Sequence, residues 1–181
     1  MKFLEIIQIR LAAMAAAVML TAVSLAAAQT EAPREPELPV GCELIQAPTG
    51  NRVAFKVYAS GVQVYTWNGT MWGFVGPIAT LYSNAGLTGK VGTHYAGPTW
   101  KSNSGSLVIG RVSTRCTPDA ASIPWLLLEA DETDGSGIFA KVTYIQRVNT
   151  VGGTAPAEPG TMDGEQAFVP YTTEYVFYRA N

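Results

Sequence analysis

The chain has 181 residues, 48% of them hydrophobic and only 14% charged, with a net charge of −2 and a single histidine. This weakly acidic balance offers no cationic footprint for nucleic acid. One imidazole excludes a multi-histidine zinc or copper centre, and neither a metal nor a cofactor is expected.

Residues 1–28 read as a secretory signal peptide. Lys2 and Arg10 give a positive start, Leu11 to Leu25 form an apolar run, and Ala26-Ala27-Ala28 offer small residues before Gln29. The run falls short of the about 20 residues that a spanning helix needs. No membrane span is therefore expected after cleavage, and the mature protein is expected to be secreted or periplasmic. Residues 29–42 carry Pro33, Pro36 and Pro39 among Glu31, Glu35 and Glu37, and read as a flexible leader. Residues 43–181 read as one domain. Cys42 and Cys116 fit no CxxC or metal pattern. In an oxidising compartment they are expected to pair as a disulfide.

From Arg52 onward, short runs of Val, Ile, Phe, Tyr, Trp and Thr alternate with Gly, Asn, Ser and Pro. The runs span 52–58, 61–67, 70–75, 78–82, 91–95, 106–112, 123–130, 138–147 and 167–178. They predict an all-β domain, an antiparallel sandwich or barrel-like fold of roughly 8–10 strands. Residues 118–122 are expected to make at most one short helical turn. Asn68-Gly69 is the preferred pair for a type I′ hairpin. A two-residue turn would set Trp67 opposite Thr70, Tyr65 opposite Trp72, and Gln63 opposite Phe74. Alternation would gather Gln63, Tyr65, Trp67, Trp72 and Phe74 on one face. Asn68-Gly69-Thr70 is also a glycosylation sequon, but the turn already accounts for it. The Gly- and Pro-rich segment 148–166 reads as a long loop folded over one end of the sheet.

Candidate chemistry is sparse. His94 is the sole residue available to an imidazole-dependent mechanism, and no Gly-x-Ser-x-Gly elbow accompanies it. Glu129, Asp131, Glu132 and Asp134 precede Gly135 and read as a solvated turn rather than a glycosidase pair or a calcium loop. Glu174 faces Lys141 and Arg147 as candidate ion-pair partners, these two lying on alternate positions of an otherwise apolar strand. Aromatic residues are dense between 58 and 100. Such faces can stack on sugars or other flat ligands, with a few polar groups to fix orientation.

Several segments resemble one family. They are Gly61-Val-Gln-Val-Tyr65, Trp72-x-Phe74, Gly92-Thr-His-Tyr-Ala-Gly-Pro-Thr-Trp100, Ile123-Pro-Trp-Leu-Leu-Leu128, Val142 to Gly153, and Tyr175-Val-Phe-Tyr-Arg-Ala180. The chain resembles the DUF3455 family of secreted bacterial and fungal proteins across nearly all of residues 43–180. The resemblance implies export and a single compact domain, and carries no established activity or catalytic residues. A Gly-x-Gly-x-x-Gly strand-helix unit is absent, so dinucleotide binding is not expected. The expected function is non-catalytic binding of a carbohydrate or other small envelope ligand by Gln63, Tyr65, Trp67, Trp72, His94, Tyr95 and Trp100. The alternatives are an enzyme using His94 and a structural envelope protein.

Overall fold

The computed structural model describes residues 34–181; the signal peptide expected at 1–28 lies outside the described residues. Eight strands follow in chain order: β1 (Asn51–Trp67), β2 (Trp72–Tyr82), β3 (Lys90–Tyr95), β4 (Thr99–Ser102), β5 (Leu107–Cys116), β6 (Trp125–Asp134), β7 (Tyr144–Gly152) and β8 (Gln166–Ala180). Each pairs with the next, and β8 closes antiparallel onto β1, giving a closed barrel. Of the two architectures predicted, the chain adopts the barrel. Closure leaves no sheet edge to protect.

Some predicted segments merge or shift. Runs 52–58 and 61–67 form one strand, because Gly61 lets the chain continue where a Cβ would lie 2.1 Å from the Ile78 carbonyl oxygen. Runs 70–75 and 78–82 likewise join in β2. The run 138–147 divides: Lys141 takes a positive φ of 63° in a turn, and β7 begins at Tyr144. It continues to Gly152, so part of the segment 148–166 is strand. β4 is too short to show a pattern between Gly97-Pro98 and the serine-rich loop. Residues 118–122 make no helix; the Asp119 carboxylate instead accepts hydrogen bonds from the Ala121 amide and the Ser122 hydroxyl.

The β1–β2 hairpin differs from the predicted one. Trp67 pairs with Trp72 and Tyr65 with Phe74, around a loop over residues 68–71. Asn68 does not take the positive φ that a type I′ turn demands. Its side-chain oxygen instead accepts from the amides of Thr70 at 3.0 Å and Met71 at 2.9 Å, and this cap lengthens the turn. The aromatic face survives the change in register. The Trp67 and Trp72 rings meet at 5.5 Å, and those of Tyr65 and Phe74 at 5.6 Å. Replacing Asn68 by alanine removes both acceptor contacts, and we expect a loss of about 1 kcal/mol in urea unfolding.

Alternation along the strands builds two cores. Val57, Ala59, Leu81, Trp100, Val108, Leu128, Ile145, Tyr175 and Phe177 point into the barrel. One end is plugged by rings: Phe55 stacks on Phe177 at 4.7 Å, and Phe139 packs on Phe177 at 5.1 Å. The second core lies outside the barrel. There a single 3-10 turn, Glu43–Ile45, seats Ile45 and Cys42 with Leu127, Val148, Val176 and Tyr178. Leu38, from the segment read as leader, packs against this cluster as well. Cys42 and Cys116 form the expected disulfide. Gln146 donates to the Ile45 carbonyl at 2.7 Å and accepts from the Tyr178 hydroxyl at 2.7 Å, fastening the segment to the barrel wall.

Candidate functional site

In a barrel whose strands alternate in direction, the loops 68–71, 96–98, 117–124 and 153–165 all gather at the end opposite the phenylalanine plug. A cavity of about 410 Å³ opens there. Its walls include Gln63 and Tyr65 from β1, Phe74 and Val75 from β2, His94, Trp100, Tyr175 from β8, and Pro98 and Pro124 from the loops. An eight-stranded barrel is wide enough for side chains to fill or for one small ligand to enter. This one does both, with a filled end and an open end.

His94 is 3% exposed and forms part of the cavity wall. Its ring stacks on Trp100 at 4.3 Å and meets Tyr175 edge-on at 5.1 Å. Nδ1 lies 2.8 Å from the Thr99 carbonyl oxygen. A carbonyl only accepts, so Nδ1 carries the proton and the neutral ring leaves its lone pair on Nε2. Burial pushes the imidazole down to about 3, the Thr99 hydrogen bond partly opposing this and the Arg147 charge adding to it. Since the folded value lies below the unfolded 6.5, the unfolded chain takes up the proton first. Stability held by neutral His94 is complete above about pH 6.5 and is lost as pH falls toward about 3, at up to about 1.4 kcal/mol per pH unit. Urea unfolding should therefore show a larger loss between about pH 7 and pH 4 for the wild type than for His94→Gln.

Several buried polar atoms on the barrel interior have no hydrogen-bond partner: Gln63 Nε2, Trp100 Nε1 and the hydroxyls of Tyr171 and Tyr175. The Tyr175 hydroxyl lies near both Tyr171 and the Arg147 guanidinium, without a well-formed bond to either. Burial raises the phenols of Tyr171 and Tyr175, so both remain protonated donors. Tyr65, by contrast, is satisfied: its hydroxyl donates to the Gly153 carbonyl at 2.7 Å. Gly153 has φ +82°, and a Cβ there would stand 3.1 Å from Gln63 Cγ. That approach is open only to glycine.

Of the aromatic and polar residues singled out in the sequence, Gln63, Tyr65, His94 and Trp100 come together in the cavity. Trp67, Trp72 and Tyr95 are not among its lining. The loop between β7 and β8 folds over the two tryptophans instead: Trp72 Nε1 donates to the Glu158 carbonyl at 2.9 Å, and Gly160 presses on the Trp67 ring. Tyr95 follows His94 by one residue, so alternation turns it to the outer surface, where it is exposed. Arg147, Tyr175 and Arg115 belong to the lining and were not singled out as site residues. Arg147 did carry a signal, as a charge on an apolar strand. The ion pair expected with Glu174 does not form; Lys56 takes that carboxylate at 2.8 Å. Glu129 and Asp131 lie on β6 rather than in a turn, and both bind Arg111. Among the described residues no group of three or more His, Cys, Asp or Glu side chains is placed to hold a metal ion.

A barrel plugged at one end and hollow at the other defines an up-and-down β-barrel with an internal cavity at its mouth. The chain belongs to the DUF3455 family, proteins of unknown function, whose family model matches residues 48–179. No curated protein and no solved structure matches the chain. Among the described residues no helix is long and apolar enough to cross a membrane.

Proposed function

We propose that the protein is exported and binds a small molecule, a carbohydrate or another ligand of the envelope, in the barrel mouth without transforming it. The observation that carries this reading is the set of buried, unpartnered polar atoms around a cavity of about 410 Å³. Native interiors leave few such atoms, and each left so costs about 1–3 kcal/mol. A ligand that supplies their partners accounts for the arrangement. The disulfide is in keeping with an oxidising compartment.

Catalysis by His94 gains no comparable support. A ring whose conjugate acid forms only near pH 3 is a weak base at neutrality, and its one proton, on Nδ1, is engaged by the Thr99 carbonyl. No carboxylate lines the cavity to raise it. A glycan array together with a tryptophan-fluorescence screen of small soluble compounds tests the binding reading. Trp100 should report any occupant, and Val112→Trp, adding bulk at an exposed lining position, should weaken it. Silence across both screens would overturn the proposal.

A further inference from the structure

The geometry points to an oxyanion as the recognised group of the ligand, carried on a flat apolar body. This rests on the reading of the barrel mouth as a binding site. In a chain of net charge −2, the cavity lining contains two arginines, Arg115 and Arg147, and no aspartate or glutamate. That local excess of positive charge runs against the overall balance. Arg147 is half-buried, and its Nε and Nη2 both donate to one neutral acceptor, the Pro124 carbonyl, at 3.0 and 2.8 Å. Among the described residues no carboxylate lies within 4.0 Å of it. Arg111 on β5, by contrast, has two carboxylates. Arg147 is thus a partly desolvated cation held in place by a dipole and without a countercharge, an arrangement that an incoming anion stabilises.

The unpartnered atoms around it agree in kind. Tyr175 offers an O–H, and Trp100 and Gln63 offer N–H groups. A carboxylate or phosphate oxygen only accepts, and so matches such a set. A sugar hydroxyl also brings a proton that needs an acceptor. The Arg147 charge reaches this whole wall, acting on Tyr65, His94, Tyr171 and Tyr175. The rest of the lining is largely apolar, with Phe74, Val75, Val112 and Leu126, and Leu126 lies opposite both Arg115 and Arg147 in the sheet. Arginines and apolar walls together select a small amphiphile whose anion meets Arg147.

Titration of the full mature chain with 2-naphthoate, 2-naphthyl phosphate and the neutral 2-naphthamide tests this by calorimetry and tryptophan fluorescence. At least one anion should bind about ten-fold or more tightly than the amide, and the gap should narrow as salt is raised. Which anion prevails assigns the carboxylate or phosphate class. Arg147→Met should abolish the gap and Arg147→Lys should restore part of it. Equal binding of amide and anions overturns the oxyanion inference while leaving the binding site standing. No binding by any of the three, with Val112→Trp behaving as wild type in the wider screen, overturns both. The wild-type comparison needs no substitution. If Arg147→Met does not fold, exposed Arg115→Gln should still reduce the anion's advantage, and an unchanged advantage counts against the inference.

Discussion

Replacing Trp100 by alanine is expected to lower stability by about 3–5 kcal/mol, or roughly 6–20 °C in Tm for a chain of this size. Trp100 is 1% exposed and sits where the filled and hollow halves of the barrel meet. His94 stacks on one face, while Tyr175 and Phe177 meet it edge-on at 5.2 and 6.0 Å. Gly110 of β5 makes room for it, since a Cβ there would come within 3.2 Å of the indole. With the indole gone the cavity would extend toward the phenylalanine plug, and the lost contacts have no substitute. Trp100→Phe separates packing from polarity. It keeps a ring against His94 and deletes an N–H that has no partner, so its loss should fall well below that of alanine. Thermal melts of the two variants check this. Equal losses would show that the indole N–H, rather than ring packing, supports the barrel.

The all-β class was legible because short runs of Val, Ile, Phe, Tyr, Trp and Thr recur and each break between strands carries Gly, Pro or Asn. Joining the strands was harder. Gly61 and the Gly76-Pro77 pair read as interruptions, yet both lie inside continuous strands. A glycine that ends a strand and one that admits a neighbour's backbone look alike in sequence, and only the partner strand tells them apart. The Asn68 turn shows the same limit. Its residues suit a two-residue turn, but the asparagine side chain competes for the amides of Thr70 and Met71 and settles a longer one.

The site was half legible for a related reason. The strand segment Gly61 to Tyr65 and the segment from His94 to Trp100 are local, so their residues could be selected by type and density. Arg147 and Tyr175 reach the same cavity from β7 and β8, which join that neighbourhood only because the sheet closes on itself. Trp67 and Trp72 lie apart from the cavity; aromatic character alone does not show which ring a distant loop will roof.

Removing the disulfide, as Cys42→Ser with Cys116→Ser, is expected to cost about 2–4 kcal/mol and to free the N-terminal segment before the barrel itself opens. The two cysteines are 74 residues apart, and in the chain-entropy view closing such a loop is worth about 4 kcal/mol as an upper figure. Residues from Leu38 to Ala47 lie across the outer wall and share no ladder with any strand; beyond the disulfide they are held by the burial of Ile45 and Ala47, the Gln146 bond to the Ile45 carbonyl, and the Thr114 hydroxyl bond to the Leu44 carbonyl at 2.7 Å. Those contacts are few, so local opening should come far below global unfolding once the covalent tie is lost. Limited proteolysis of the double variant should cut near residues 38–47 while leaving Asn51 to Ala180 intact. An unchanged Tm and a protected segment would show that the outer core suffices without the bond. The cavity lies on the inside of the same wall, where Arg147 and Gln146 are adjacent residues facing opposite sides of β7. Weaker affinity of the double variant for the anionic naphthalenes would then show that the outer segment holds β7, and with it the arginine, in position.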